Sequence, residues 1–217
     1  MNDIYILSQK PFTGAKNLPV IVFDYYDVDI DLSKYDALIF TSKNGVIALD
    51  KTTSKWKDID IYSIGSGTSK AIKELGGEIF YEAKSSYGDH FAKEIEEKLA
   101  KKRVLFLRPK VVTSNLNSIL EKAGVLLDEL VIYETKCNEC QKLSKPPAGS
   151  YIIFSSPSTI ECFLKCFEWD ESYQAVVIGE KTASFMPSNI PYILSKKQTI
   201  DACIALSKEK TDKNRKK

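Results

Sequence analysis

The sequence predicts an α/β protein: two doubly wound, parallel-sheet domains related by internal duplication and joined by a two-stranded β ribbon that serves as a hinge. Three observations predict it. Short apolar runs such as Ala37-Leu38-Ile39-Phe40 and Ala175-Val176-Val177-Ile178 alternate with segments of helical period, the pattern of parallel strands covered by helices on both faces. Motifs recur at a fixed offset of 114 residues, and a constant register over several segments marks a repeat. The second copy runs out of chain one strand early, and a matching strand lies at the N-terminus.

In the first copy, Asp36–Thr41 reads as a strand, and Val46, Ile47 and Leu49 follow it at helical spacing from Lys43 onward. Ile59–Ile64 is the next strand. Gly65-Ser66-Gly67-Thr68 opens a helix through Ile72 and Leu75 that stops at Gly76-Gly77, as glycines past a last turn do. A strand at Ile79–Tyr81, a helix near Asp89–Lys101, a strand at Arg103–Leu107 and a helix at Ser114–Ala123 complete the copy. The repeat aligns Phe40-Thr41-Ser42 with Phe154-Ser155-Ser156, Ile64-Gly65 with Ile178-Gly179, Thr68 with Thr182, and Glu78-Ile79-Phe80 with Tyr192-Ile193-Leu194, without insertion. The second copy ends in a helix near Thr199–Ser207. Its missing strand is Ile4-Tyr5-Ile6-Leu7 before Lys10-Pro11, which resembles Val104–Leu107 before Arg108-Pro109.

The domain organisation follows. Residues 1–20 with 138–210 form a discontinuous α/β domain, residues 28–128 a continuous one, and residues 21–27 and 129–137 cross between them. Both crossings are rich in β-branched and aromatic residues, so an antiparallel ribbon is expected. Residues 208–217 form a polar tail, expected to fray.

Composition excludes several classes. The 217 residues include 43% hydrophobic and 28% charged residues, with 10 Gly and 8 Pro, an ordinary globular balance. No apolar run approaches the roughly 18 residues that span a bilayer, and Met1-Asn2-Asp3-Ile4 has no signal-peptide character, so a soluble protein without membrane contact is expected. The net charge is +2, but residues 208–217 carry six Lys/Arg against two Asp/Glu, leaving residues 1–207 at −2. A nucleic-acid binder would carry its basic excess on the folded body, and none is expected here. Five cysteines, an odd number in a chain with a full-sized core, point to free thiols in a reducing compartment; the cytoplasm is the expected location.

In open parallel sheets, ligands bind beyond the carboxyl ends of the strands. Thr41-Ser42-Lys43, Gly65-x-x-Thr68, Ser155-Ser156-Pro157-Ser158 and Gly179-x-x-Thr182 all fall there. Each turn aims backbone N–H groups and a hydroxyl at the mouth and opens a helix whose N-terminus favours anions. Taken singly, Ser42, Thr68, Ser156 and Thr182 read as ordinary N-caps. Taken together, four matched turns suit a large ligand with several carboxylates. Gly65-Ser66-Gly67 is not a dinucleotide fingerprint: position 70 is Lys70, and Lys181 stands where the repeat would place the second glycine.

Cys137-Asn138-Glu139-Cys140 is a CxxC, and Cys162 and Cys166 lie four apart on a predicted helix. A four-cysteine zinc site is one reading; small buried thiols beside Phe163, Leu164 and Phe167 are the other, and favoured, one. His90 is the only histidine, which removes Ser-His-Asp triads and His-rich metal sites. Tyr133, at the end of Leu130-Val131-Ile132-Tyr133-Glu134-Thr135, either packs against the ribbon or offers a neutral proton donor at pH 7.

These segments together resemble the uroporphyrinogen-III synthase family: Asp36–Gly45 with its Phe-Thr-Ser, Ile64-Gly65-x-x-Thr68, Val131-Ile-Tyr-Glu-Thr135, Ile153-Phe-Ser-Ser-Pro-Ser158 and Ile178-Gly179-x-x-Thr182. The resemblance covers nearly the whole chain. It implies two flavodoxin-like domains on a two-stranded ribbon, a monomer, and no metal or organic cofactor. It implies cyclisation of hydroxymethylbilane, a linear tetrapyrrole with eight carboxylates, to uroporphyrinogen III, with inversion of ring D and loss of water through azafulvene and spiro intermediates. Tyr133 matches the family's proposed proton donor; Thr41, Ser42, Lys43, Gly65, Thr68, Ser155, Ser156, Ser158, Gly179 and Thr182 are the expected substrate-binding residues. The chain departs from the pattern at Ser8-Gln9-Lys10-Pro11, where Thr-Arg-Pro is usual, in a helix shrunk to about Phe12–Asn17, and at Gln174; Lys10, Lys43 or Arg108 are candidates to compensate. The competing class is a non-enzymatic hinge protein closing on a polyanionic small molecule.

Overall fold

The computed structural model describes residues 3–84 and 87–214. In chain order the strands are β1 (Ile4–Ile6), β2 (Lys16–Asn17), β3 (Ile21–Tyr25), β4 (Ala37–Phe40), β5 (Asp60–Ser63), β6 (Tyr81–Glu82), β7 (Arg103–Pro109), β8 (Leu126–Cys137), β9 (Tyr151–Phe154), β10 (Gln174–Val177) and β11 (Tyr192–Leu194). The helices are α1 (Lys43–Thr52), α2 (Gly65–Glu74), α3 (Gly88–Ile95), α4 (Leu116–Lys122), α5 (Pro157–Cys166), α6 (Glu180–Ala183) and α7 (Ile200–Asn214). The chain divides into two compact units, Met1–Val22 with Lys136–Lys217, and Phe23–Thr135.

The continuous unit is built on β4. All four of its residues are buried, as a central parallel strand covered on both faces requires. It pairs in parallel with β5 and β7, with Ala37 opposite Asp60 and Val104; β6 and β8 extend the sheet in the order β3-β8-β7-β4-β5-β6. Side-chain alternation divides the core in two. Leu38, Phe40, Leu105 and Leu107 pack with Val46 and Leu49 of α1 and Ile72 of α2, over Trp56. Ala37, Ile39, Val104 and Phe106 pack with Phe91 and Ile95 of α3 and with Leu116 and Leu120 of α4. Each such fully buried side chain contributes about 1.5–3 kcal/mol relative to exposure. Trp56 is fully buried, and its Nε1 donates to Asp50 Oδ1 at 3.1 Å.

The discontinuous unit carries a parallel sheet in the order β11-β10-β9-β1-β2. One face (Ile4, Ile6, Tyr151, Ile153, Val176) lies under Cys203 and Ile204 of α7. On the other, Phe154 meets Phe163 of α5 at a ring separation of 5.7 Å, and Trp169 and Tyr173 pack against the same phenylalanine. Loop 143–150 is held by Tyr173 Oη, which donates to the Pro146 carbonyl. Among the described residues, no helix is long and apolar enough to cross a membrane.

The structure departs from the sequence reading in several places: the strand expected at Ile79–Tyr81 is Tyr81–Glu82, and the helix expected near Asp89–Lys101 is Gly88–Ile95. Phe12–Asn17 is not a helix: it turns at Gly14, which has φ +90°, and enters β2. Strand β8 begins at Leu126, so its first half is the parallel neighbour of β7 before it is a crossing strand; Asp128 and Glu129 hid it, because their carboxylates face Arg103, Arg108 and Asn117 at a sheet margin rather than the core. Helix α7 does not stop near Ser207 but continues to Asn214. There the Ser207 and Thr211 hydroxyls bond back to the carbonyls four residues earlier, and Thr211 is buried. Residues 215–217 of the expected tail lie outside the described residues. Finally, four of the five cysteines are not free thiols: Cys137 is bonded to Cys162 and Cys140 to Cys166. Only Cys203 is free, and burial pushes its thiol pKa up.

Strand β3 lies beside β8 at the sheet margin. Tyr26 N–H donates to the Ile132 carbonyl, and Asn138 N–H donates to that of Val20. The partner number falls as the chain number rises, the sense of an antiparallel pair.

Candidate functional site

In the continuous unit, the expected residues collect at the carboxyl ends of adjacent strands. Ser42 is the N-cap of α1, its hydroxyl accepting from the Asn44 N–H at 3.2 Å. One strand across, Gly65 opens α2 with φ +72°, a left-handed conformation that glycine adopts without cost. Gly67 has no such requirement, since a Cβ there would meet nothing within 4 Å. The N-cap of α2 is Ile64, and Thr68 sits in the fourth helical position, 6% exposed. Thr68 is therefore not a cap, and the same holds for Thr182, buried in the third position of α6 behind the N-cap Gly179. A buried hydroxyl in a first turn is harder to explain as local stabilisation than a capping one.

Tyr133 lies on β8 where its carbonyl accepts from Lys110 N–H at 2.9 Å, beside the end of β7. Its ring meets Phe23 edge-on at 6.3 Å, and the residue is 4% exposed. Burial raises its pKa above the ordinary tyrosine value, and the neighbouring Ser42 hydroxyl opposes that rise; the phenol is neutral at pH 7. Gly45 makes this approach possible. A Cβ at Gly45 would lie 3.2 Å from the Leu107 carbonyl oxygen and 3.9 Å from Tyr133 Cε1, so glycine lets the first turn of α1 seat against β7 and the phenol. Tyr25 joins them, with its hydroxyl 3.4 Å from Asn44 Oδ1, its ring under Lys51, and its own pKa raised by burial.

The discontinuous unit repeats the turn chemistry. Ser155 and Ser156 follow β9, and Ser156 with Thr159 forms a capping box: the Ser156 N–H donates to Thr159 Oγ1 at 3.2 Å, and that hydroxyl donates to the Ser156 carbonyl. Pro157 and Ser158 are the first two helical residues. Gly179 is extended and buried, and a Cβ there would lie 3.0–3.2 Å from the Gln198 side chain. The N-terminal turn after β1 leaves Lys10 exposed. Gln174 is exposed at the start of β10, remote from the carboxyl end where these turns gather.

Electrostatics separate the helix ends. The first turns of α1, α2 and α5 contain no acidic residue, and that of α1 begins with Lys43. Because the positive end of a helix dipole favours anions and disfavours cations, these turns are disposed to take a carboxylate from a ligand. In α3, by contrast, Asp89 occupies the first turn and accepts from Asn115 N–H, and α6 begins with Glu180. Arg108 is engaged by Glu129 and donates to the Pro109 and Lys110 carbonyls, so it is not a spare cation for a carboxylate. His90 is exposed beside Tyr87. Among the described residues no group of three or more His, Cys, Asp or Glu has metal-site geometry. A depression bounded by Tyr35, Asp36, Asp60 and Lys102 lies at the opposite, amino end of β4 and β5, and its Lys102 and Asp60 are paired at 2.6 Å.

Residues 18–205 match the model of a family described as uroporphyrinogen-III synthase HemD. The chain belongs to the uroporphyrinogen-III synthase family. A curated relative, the porphyrin biosynthesis protein HemD of Ruminiclostridium josui, is 30% identical over 190 residues; the match takes in 80% of this chain and 38% of that protein's length. The chain thus spans well under half of that relative. Among solved structures, the uroporphyrinogen-III synthetase of Helicobacter pylori is 32% identical and superposes with a TM-score of 0.81 over 96% of this chain and 99% of that one. The uroporphyrinogen III synthase of Thermus thermophilus, in a triply substituted form, shares the fold at a TM-score of 0.58 and 12% identity, covering 98% of this chain and 100% of its own. Motif reading missed the Tyr25–Asn44 contact and Gly45; the only signal was a glycine inside a predicted helix.

Proposed function

We propose that this chain is a uroporphyrinogen-III synthase, a cyclising hydro-lyase that converts hydroxymethylbilane to uroporphyrinogen III with inversion of ring D. The observation that carries the reading is Tyr133: a buried phenol next to the Ser42 turn, at the carboxyl ends of the sheet in a chain of this family. The reaction needs a leaving hydroxide to take up a proton, and a neutral phenol donates one. Loss of that hydroxyl as water gives an azafulvene. Attack through the substituted carbon of ring D gives a spiro intermediate, which fragments and recloses with the ring inverted.

Positioning does most of the work. Left alone, the substrate closes without inversion, so the protein must hold the linear chain in the conformation that favours the spiro path. The substrate's eight carboxylates are assigned to the strand-end turns and their hydroxyls: Thr41, Ser42, Lys43, Gly65 and Thr68 in one unit, and Ser155, Ser156, Ser158, Gly179 and Thr182 in the other. The first turns of α1, α2 and α5 are free of acidic residues, whereas that of α6 carries Glu180. No organic cofactor or metal enters this scheme.

The same proposal includes the duplication, the ribbon, a monomeric state and a cytoplasmic setting. The duplication is supported by the strand orders: β8-β7-β4-β5-β6 and β2-β1-β9-β10-β11 place β4 with β9, β5 with β10 and β7 with β1, while β6 is shifted by two residues from the segment matched to β11. The ribbon is supported by the antiparallel sense of the β3–β8 bonds.

The test is product isomer analysis. Hydroxymethylbilane generated in situ is incubated briefly with the protein and oxidised, and the type I and type III porphyrins are separated. An excess of type III is expected. Type I alone, the uncatalysed product, would overturn the enzyme reading and leave a polyanion-binding protein.

A further inference from the structure

Four of the five cysteines lie on two short segments of one unit: Cys137 and Cys140, where the chain leaves β8, and Cys162 and Cys166, one turn apart on α5. They are bonded in parallel, first with first and second with second, across Cα separations of 5.1 and 5.0 Å, inside the range that unstrained backbones bridge. The arrangement is a ladder of two rungs.

The rungs differ in protection. In the Cys137–Cys162 rung only Cys137 is half-buried, Cys162 being 3% exposed, whereas in the other both Cys140 and Cys166 are half-buried. An external thiolate therefore reaches the Cys140–Cys166 rung more readily, access being one determinant of exchange rate. The ladder is also not the sole anchor of α5. Phe163 is fully buried against Phe154, Trp169 and Tyr173, so the helix stays docked when the bonds open. The remaining thiol, Cys203, is buried between α7, which carries it, and the opposite face of the sheet, with a raised pKa, and so offers no ready thiolate to reshuffle the pairs.

We propose that Cys137, Cys140, Cys162 and Cys166 form a reversible dithiol–disulfide site that exchanges with an external dithiol couple and sets how firmly α5 is tied to the segment after β8. In the opening of the outer rung, a thiolate of the external dithiol attacks one sulfur of Cys140–Cys166. The mixed disulfide is resolved by the dithiol's second sulfur. Two electrons and two protons pass to the cysteine pair, and the external dithiol leaves as its disulfide. Cys137–Cys162 opens by the same steps afterwards. In a reducing compartment, disulfides are usually of this exchanging kind. Because Ser156 opens α5, the redox state also reaches a substrate-binding turn; that consequence rests on the proposed function, while the bond chemistry does not.

The test titrates the full chain in mixtures of reduced and oxidised dithiothreitol, quenches with acid, and counts thiols in denaturant. One thiol per chain is expected at the oxidising end and five at the reducing end, in two steps. Digestion with trypsin plus cleavage after Glu139 should join the Cys137 peptide to that of Cys162, and the Cys140 peptide to that of Cys166. At intermediate potential the Cys140–Cys166 link should be the one missing. The double variant Cys140→Ser, Cys166→Ser should titrate in a single step, and reduction of both bonds in the wild type should lower Tm by roughly 10 °C or more. Five thiols at every potential, a different pairing, or one zinc ion per chain masking four thiols would each overturn the proposal. If isomer analysis showed no synthase activity, the thiol count would still decide this point, so the two failures are distinguishable.

Discussion

Tyr133→Phe removes one oxygen from the site and nothing from the core. The ring keeps its edge-on contact with Phe23 at 6.3 Å and its place among Phe40, Leu107 and Ile132. Only the hydroxyl beside Ser42 is lost, so stability should change by less than about 1 kcal/mol, or a few degrees in Tm. Catalysis should respond more. A hydrogen bond to a group developing charge contributes about 1.5–3 kcal/mol, which corresponds to a fall of roughly 10- to 150-fold in kcat. KM should move little, because the phenol acts on the leaving hydroxyl rather than on a carboxylate. The assay is initial-rate formation of type III porphyrin from hydroxymethylbilane, with circular dichroism melting on the same preparation. The pH dependence adds a second readout: burial holds the phenol's pKa above the ordinary value, so this residue should bring no loss of rate between pH 7 and 9. A variant retaining wild-type kcat within threefold would refute the proton-donor role and leave Tyr133 as packing. Tyr133→Ala is the poorer experiment, since an aromatic cavity costs about 3–5 kcal/mol and mixes folding with chemistry.

Four further outcomes are expected. Thr68→Val keeps the volume of a residue that is 6% exposed while deleting its hydroxyl; KM should rise about 10-fold or more, as for a lost hydrogen bond to a charged group, with Tm nearly unchanged, and an unaltered KM would remove Thr68 from the site. Ser42→Ala should cost about 1 kcal/mol through the lost α1 cap, read as a lower urea midpoint, and should raise KM as well; stability loss alone would make Ser42 only a cap. Gly77→Ala should destabilise by about 1–3 kcal/mol, because its Cβ would lie 2.7 Å from Cη2 of the fully buried Trp56, yet leave kcat per folded molecule intact. Alkaline titration should weaken the fold. Burial raises the pKa values of Tyr25, Tyr62, Tyr133 and Tyr173, so the folded state stays protonated where the unfolded state ionises. Their stabilisation is complete below pH of about 10 and is lost as pH rises through the folded values; urea midpoints constant from pH 8 to 11 would contradict this.

What the sequence disclosed and what it hid have physical causes. Buried parallel strands such as Ala37–Phe40 and Tyr151–Phe154 are uniformly apolar, so they stand out in any reading for strands. The first half of β8 does not, because Leu126-Leu127-Asp128-Glu129 lies near the sheet margin and places its carboxylates against arginines. The cysteine pairing was invisible because connectivity depends on which segments meet in space, and nothing in a CxxC and a pair four apart says that one follows a strand which ends against α5. The turns after β4, β5, β9 and β10 were legible as Ser, Thr and Gly at strand ends. Their division into caps and non-caps was not: Ser42 and Thr68 look alike in sequence, yet the first caps α1 and the second is buried a turn inside α2.

That division bears on the chemistry. A capping serine spends its oxygen on its own helix, as Ser42 does on the Asn44 N–H, and so offers a ligand mainly the backbone N–H groups around it. A threonine one turn further in, as at 68 and 182, does nothing for the cap, and burying a hydroxyl is costly unless it finds a partner. The absence of acidic residues from the first turns of α1, α2 and α5 points the same way, since Asp or Glu there would stabilise each helix by about 0.3–1 kcal/mol. The chain forgoes that gain at three helices whose first turns follow β4, β5 and β9, and takes it at α3, where Asp89 is tied to Asn115, and at α6 after β10, which begins with Glu180. At three of the four strand ends that the proposed function assigns to a polycarboxylate, local helix stability is set aside, as the proposed holding of the substrate's shape would require.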